Sequence, residues 1–477
     1  MIATRSAQAQ TLAVKRAQVA FHSFAAMGEL DKALAKYESD NARRRAVLEA
    51  NLDFVGTMTP FLEVGANVGH TSYLFANEFG ADGVALDVSA DALRLGQSLP
   101  SLWNWNRRPL LVTGDAVRLP ARDNSFQFVA TFQTLSQFQD IDVVVSEVAR
   151  VLRPGGVFFM AEEPILRRLT LRLRRVPYVE QMKPWEVFLH RHGLLDFIAR
   201  DVIGAEQEES FGIRQNHRLG LASWRKLLSR HFSEIRFITF ARENGWANEC
   251  VARAIRHVAS EPSVASLLGG TLAAFCRKPR LPTGAPPSSP LECLACPNCG
   301  AALAESMENR LTCVACAFMA LPKSGVFNLL PDELREELFP SQWRPDILDF
   351  SKPEHAVGLI EGFYALEGDR GANYRWIGKR AVAILKRVQP GPSILRIRGY
   401  AHPGQFDHGK PAVHVIVNGA PIREFKLKRH GLFVLETEIP DAPEYVVEIH
   451  ASPVWRPEGE DRDMTLTLSK IRLLPSE

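Results

Sequence analysis

The sequence predicts an α/β protein with a Rossmann-like seven-stranded sheet in its first half. A small metal ribbon and a C-terminal antiparallel β-sandwich or jelly roll follow. Three observations carry this reading. Between residues 51 and 280, apolar runs of strand length closing on glycines or acids alternate with helical spacing. Two Cys-x-x-Cys pairs, Cys296/Cys299 and Cys313/Cys316, come next. Beyond residue 390 short alternating runs separated by turn residues replace the helical texture.

The first strand runs into Phe61-Leu-Glu-Val-Gly-Ala-Asn-Val-Gly-His70, a glycine turn before a helix. Gly65 and Gly69 let the backbone turn sharply and approach a ligand without a Cβ in the way. The next apolar run, Gly83-Val-Ala-Leu-Asp87, ends 24 residues after Glu63 on an acid. An acid at about 20 residues from such a turn suits a pair of ribose hydroxyls. A third strand, Pro109–Thr113, leads to Gly114-Asp115-Ala116, and a fourth, Phe126–Thr131, leads to a helix ending in Val148-Ala-Arg-Val-Leu-Arg-Pro-Gly-Gly156. Val157–Met160 is the fifth strand, Ile235–Phe240 the sixth and Thr271–Cys276 the seventh. Residues 1–50 read as helices through Leu30–Tyr37 and Ala42–Leu48. A long insertion, 165–222, separates strand five from the helix that begins at Ser223.

This series resembles the class I S-adenosylmethionine-dependent methyltransferases of the type 11 branch. The matched motifs are Glu63-x-Gly65-x-x-x-Gly69, Asp87, Gly114-Asp115-Ala116-x-x-Leu119-Pro120 and Leu152-Arg-Pro-Gly-Gly156. The resemblance implies S-adenosylmethionine as cofactor. Glu63 and Gly65 would meet its methionine end, Asp87 its ribose, and Asp115 with Ala116 its adenine edge, with Asn67 and Gly69 also among the cofactor-binding residues. The chain departs from the family in three places. Asn67 stands at the usual middle glycine, Gln127 at a common aspartate, and Thr134–Phe138 at a histidine-bearing turn. The degenerate alternative is a scaffold that binds no cofactor.

Five of the seven cysteines lie between residues 293 and 316, and thirteen residues separate Cys299 from Cys313. Four thiolates from two such turns, Cys296, Cys299, Cys313 and Cys316, suit tetrahedral structural zinc. Two disulfides are the rival, disfavoured in a reducing compartment. Cys293 is a spare thiol or a substitute ligand. The surrounding text resembles the small zinc ribbons that accompany many methyltransferases, whose role is structural.

Composition narrows the partners. Hydrophobic residues at 46%, charged ones at 23% and a net charge of +3 fit a globular protein and argue against nucleic acid as partner. No apolar run approaches the ~20 residues of a membrane span, and the N-terminus lacks a signal-peptide core. A cytoplasmic location follows as an expectation. The reading divides the chain into N-terminal helices (1–50), a methyltransferase domain (51–280), a Pro/Ser-rich linker (281–292) and a zinc ribbon (293–331). A connecting region (332–389), helical at Lys379–Leu385, and a β-sandwich module (390–477) complete it. The module loosely resembles those appended to bacterial enzymes of surface-glycan assembly.

The expected acceptor is therefore a sugar or surface-glycan precursor, with a small lipid-like or secondary metabolite as the alternative. Within the insertion, Arg167, Arg168, Arg172, Arg174 and Arg175 would bind an acidic acceptor, leave peripheral membrane contact open, or simply face water. His190, His192 and His217 are candidate bases, and His217 is the one assigned to the catalytic role.

Overall fold

The computed structural model describes residues 30–475 except 139, 169–170, 174–183, 193, 198–218, 243–245, 258, 282–283, 285–286, 307–308, 340–343, 351–352, 368–373, 389, 429 and 457–458. The chain divides into two compact units, with the boundary between Glu337 and Leu338.

The N-terminal unit is built on one mixed sheet. Its strands are β1 (Phe61–Val64), β2 (Gly83–Asp87), β3 (Leu110–Thr113), β4 (Phe126–Phe132) and β5 (Leu152–Ile165). The short parallel pair β6 (Leu171–Leu173) and β7 (Leu195–Phe197) lies outside it. Next come β8 (Glu234–Ala241) and β9 (Gly270–Arg277). Residues 303–320 hold a three-stranded ribbon sheet of β10 (Leu303–Glu305), β11 (Leu311–Cys313) and β12 (Met319–Ala320). β13 (Val326–Asn328) follows and returns to the main sheet, whose order is β13-β3-β2-β1-β4-β5-β9-β8. The seven expected strands are present, and β13 makes an eighth that the sequence did not announce.

Central parallel strands are covered on both faces, so they read as unbroken apolar runs. Every residue of β1 and of β2 is buried. One face packs Leu62, Val64, Val84, Leu86 and Val129. The other packs Phe61, Phe75, Phe128, Phe159 and Phe275, with the last two rings stacked 4.4 Å apart. Helix Ile141–Val151 supplies Ile141, Val144, Val145 and Val148 to the first face, the i, i+3, i+4, i+7 stripe of an amphipathic helix. Asp140 caps its N-terminus by accepting from the Asp142 amide at 3.0 Å. The two expected leading helices form one continuous helix, Leu30–Glu49.

The C-terminal unit is antiparallel. It contains β14 (Ile347–Asp349), β15 (Leu359–Glu367), β16 (Tyr374–Lys386), β17 (Ser393–Ala401), β18 (Ala412–Val417), β19 (Ala420–Lys426), β20 (Gly431–Ile439), β21 (Glu444–Ser452) and β22 (Thr467–Pro475). The path β19-β18-β21-β16-β22-β17-β20 rolls up, because Phe425 of β19 and Phe433 of β20 share one core. Asn418 (φ +50°) and Gly419 (φ +79°) make the two-residue turn between β18 and β19, where both central residues need positive φ.

One expectation fails here. Lys379–Leu385 is not a helix but part of β16, and Arg380–Leu385 pair residue for residue with β21. Its helix-forming composition suggested otherwise. Ala381, Ala383 and Leu385 nevertheless alternate into the core while Lys379 and Arg380 stay exposed, and the waiting strand partner overrides propensity.

Candidate functional site

The strands β1, β2 and β3 end side by side, with Val64 opposite Leu86 and Asp87 opposite Thr113. That register brings the Gly65 turn, Asp87 and the Gly114-Asp115-Ala116 loop to one edge of the sheet. The backbone is left-handed at Gly65 (φ +74°), Asn67 (φ +53°) and Gly69 (φ +75°). A Cβ on Gly65 would lie 2.6 Å from the Thr134 side chain, so both the conformation and the close approach demand glycine. Asn67 supplies the left-handed residue that the family takes from a glycine.

Asp87 is buried, and each of its oxygens accepts a backbone amide. Oδ2 takes Asn67 N and Oδ1 takes Ser89 N, both at 2.8 Å. Asp115 Oδ1 accepts from Val117 N at 3.1 Å. A carboxylate offers about four acceptor positions, and these amides fix the orientation of the two groups. Asn67 Oδ1 and His70 Nδ1 are buried and have no hydrogen-bond partner among the described residues. Unpartnered polar atoms beside a rigid acidic cradle fit a polar ligand such as S-adenosylmethionine. Below the turn, Glu63 is buried and accepts from the Ser72 hydroxyl. Burial pushes its carboxyl up to about 7, against the opposing pull of Ser72 and Arg44.

A second network, missed in the sequence, ties the leading helix to this edge. Arg44 is buried and forks onto Glu162, with Nε to Oε1 at 3.2 Å and Nη2 to Oε2 at 2.9 Å. Its Nη1 reaches His70 Nε2 at 2.8 Å and the Thr71 hydroxyl at 2.6 Å, and its guanidinium lies 4.2 Å over the Phe132 ring. His70 stacks on Tyr37, and burial followed by the Arg44 charge holds its pKa well below 6.5, so it is neutral. Glu163, fully buried at the end of β5, accepts the amides of Thr134, Leu135 and Ser136 at 2.8–3.0 Å. Burial raises its pKa while those donors oppose the rise. Glu163 thereby shapes the turn that replaces the family's histidine-bearing one. The signal was available: Glu162-Glu163 closes the apolar run Val157–Ala161 at the carboxyl end of a strand beside β4.

The four expected metal ligands converge. The Sγ atoms of Cys296, Cys299, Cys313 and Cys316 all lie within 4.8 Å of one another. The separations are 3.6 Å for Cys296–Cys316, 3.4 Å for Cys299–Cys313 and 3.6 Å for Cys299–Cys316. Tetrahedral zinc with Zn–S of about 2.3 Å spaces its sulfurs at about 3.8 Å, so the cluster is compatible with zinc. The Ala315 amide donates to Cys313 Sγ at 3.3 Å, and Gly300 turns the first knuckle at φ +78°. All seven cysteines are free thiols. Cys293 is not a ligand, because its buried thiol points to the Ser125 and Ser289 carbonyls.

The acceptor-side residues are only partly visible. His217, Arg174 and Arg175 lie outside the described residues. His190 is on helix Pro184–Arg191, His192 follows it with its ring 4.2 Å from Phe188, and Arg172 is in β6. Arg167 is buried, and Arg168 is exposed. Among the described residues no helix is long and apolar enough to cross a membrane.

Comparison with known proteins agrees with the geometry. Residues 62–160 match the family described as "Methyltransferase domain". Norajmaline N-methyltransferase of Rauvolfia serpentina is 26% identical over 125 residues, 26% of this chain and 40% of that protein. Malonyl-[acyl-carrier protein] O-methyltransferase of Methylococcus capsulatus is 32% identical over 152 residues, 29% of this chain and 52% of that one. Demethylmenaquinone methyltransferase of Renibacterium salmoninarum is 36% identical over 103 residues, 21% of this chain and 40% of that protein. The chain thus spans about half or less of the length of these relatives. A solved complex of a methyltransferase with the Trm112 methyltransferase activator of Haloferax volcanii covers 55% of this chain and 98% of that chain, at TM-score 0.35 and 16% identity. Residues 62–160 of the chain thus carry a methyltransferase domain.

Proposed function

We propose that the chain is an S-adenosylmethionine-dependent methyltransferase acting on a small-molecule acceptor. The observation that carries the reading is the rigid Asp87 carboxylate beside the left-handed Gly65–Gly69 turn. In this reading Asp87 holds the ribose hydroxyls, Asp115 and Ala116 meet the adenine edge, and Glu63, Gly65, Asn67 and Gly69 surround the methionine end. The cofactor supplies a methyl group already activated on a sulfonium. The protein's task is then alignment of the acceptor, worth up to about 7–11 kcal/mol in well-oriented systems. His217 would take the acceptor's proton, adding about 10²–10⁴-fold for a weakly acidic hydroxyl. Cys296, Cys299, Cys313 and Cys316 hold a structural zinc with no position left for substrate. A cytoplasmic site of action belongs to the same reading, since thiolate zinc sites persist where thiols are kept reduced.

For the acceptor we favour O-methylation of a sugar or surface-glycan precursor, supported by the appended antiparallel module and the arginines at 167–175. A small lipid-like or secondary metabolite is the second reading, favoured by the acceptors that the similar proteins are named for: norajmaline, a malonyl carrier and demethylmenaquinone. The deciding experiment follows methyl transfer from labelled S-adenosylmethionine to panels of nucleotide sugars, lipid-linked glycans, quinones and acyl carriers. Label in the sugar panels supports the first reading and label in quinones or acyl carriers the second. Absence of transfer together with absence of cofactor binding would leave only the scaffold alternative.

A further inference from the structure

The ribbon does not hang beside the methyltransferase sheet; it forms part of the wall that carries Asp115. β3 would be the edge strand of the sheet, but β13 pairs with it in parallel, Val326 opposite Leu111, Phe327 opposite Val112 and Asn328 opposite Thr113. Leu329 N extends the contact to Thr113 O at 2.8 Å, one residue before Gly114. On the far side of the same loop, Ala295 N donates to Pro120 O at 3.0 Å and Arg122 N to Cys293 O at 2.8 Å. The Arg118 guanidinium reaches Asn298 O at 3.2 Å, inside the first knuckle. Residues 114–122 are thereby held at both ends by segments that flank the four-cysteine cluster. The packing agrees: Cys293, Leu294, Cys296, Leu311, Phe318 and Phe327 belong to the same buried cluster as Ala116 and Leu119.

The ribbon's own strands are three, three and two residues long. A piece that small buries too little to fold on its own, so bound metal would supply its folding free energy. We propose that the metal-held ribbon is a positioning element of the cofactor site, so that occupancy of the four-cysteine cluster sets the affinity for the cofactor. This rests on the cofactor assignment above and extends it to residues far from any ligand. Loss of metal frees β13 and the knuckle, residues 114–122 lose their outer hydrogen bonds, and Asp115 and Ala116 lose their fixed place.

The test uses the full chain loaded with zinc and titrates S-adenosylhomocysteine by calorimetry before and after chelation. Affinity should fall by roughly ten- to a hundredfold, the scale of one or two lost hydrogen bonds, and return when zinc or cadmium is restored. Amide exchange should quicken in 114–122 and 326–329 and stay unchanged in the C-terminal unit. Ala295→Pro is the second variant, since it deletes the donor to Pro120 while leaving every cysteine. Leu294 is already extended (φ −82°, ψ 153°), as a residue before proline must be. It should keep full metal content and still bind S-adenosylhomocysteine more weakly. Equal affinity with and without metal in folded protein overturns the proposal. So does an Ala295→Pro variant with normal affinity if chelation simply unfolds the unit. No binding by the zinc-loaded wild type would instead overturn the cofactor assignment, while the exchange response of 114–122 would still report on the coupling.

Discussion

Replacing Asp87 with Asn removes the charge of the cradle's central group and keeps its size. In the free protein each carboxylate oxygen accepts one backbone amide, from Asn67 and from Ser89. An asparagine can accept one of them and must turn its own NH₂ toward the other, so one charge-assisted bond is lost. Bonds of that kind contribute about 1.5–3 kcal/mol each. Part of the loss falls on stability, because the Asn67 turn loosens. The larger part falls on ligand, since one ribose hydroxyl loses its acceptor. Affinity for S-adenosylhomocysteine should drop by roughly 10- to 150-fold, reading the same 1.5–3 kcal/mol at 1.4 kcal/mol per decade. Calorimetry gives the affinity and a melting curve separates the stability share. An Asp87→Asn variant that binds as tightly as the wild type would refute the reasoning, since neither the charge nor the second acceptor would then matter.

Other perturbations have equally definite outcomes. Glu63 is buried with its pKa raised to about 7, so it contributes stability at acid pH that is lost as pH climbs through about 7. Denaturation curves of Glu63→Gln against wild type should therefore diverge in the variant's favour between roughly pH 4.5 and 7, by about 3 kcal/mol at most; parallel curves would show the carboxyl is not desolvated. Arg44→Met strands Glu162 without its forked partner and should cost about 3–5 kcal/mol, partly recovered in Arg44→Met with Glu162→Gln; denaturant melts that show no recovery would deny the coupling. Gly65→Ala meets both the positive φ and Thr134, so about 1–3 kcal/mol of stability should go, and Thr134→Ala should relieve only the steric share. Elemental analysis should find one zinc per chain, lowered by Cys313→Ser; a metal-free folded protein would exclude the structural zinc.

Legibility followed the range of the interactions. The parallel strands of the first unit were readable because both their faces are buried, which leaves unbroken runs such as Phe61–Val64 and Gly83–Asp87. The cysteine cluster was readable because its spacing is local. β13 was not, because three residues carry no periodicity and their partner β3 lies more than two hundred residues away in sequence. β16 was misjudged at Lys379–Leu385, where alanine and lysine favour a helix until a neighbouring strand is supplied. The Arg44–Glu162 link joins residues 118 apart and has no sequence signature at all. Glu163 could have been found, since an acid closing a strand beside β4 repeats the logic that singled out Asp87.

The central claim is that the edge formed by Gly65, Asn67, Asp87 and Asp115 is a cofactor site, and equilibrium binding tests it most directly. Zinc-loaded full-length protein titrated with S-adenosylhomocysteine should bind one equivalent per chain, with S-adenosylmethionine competing for the same site and Asp87→Asn binding more weakly. Absence of saturable binding to that folded, zinc-loaded protein would contradict the account.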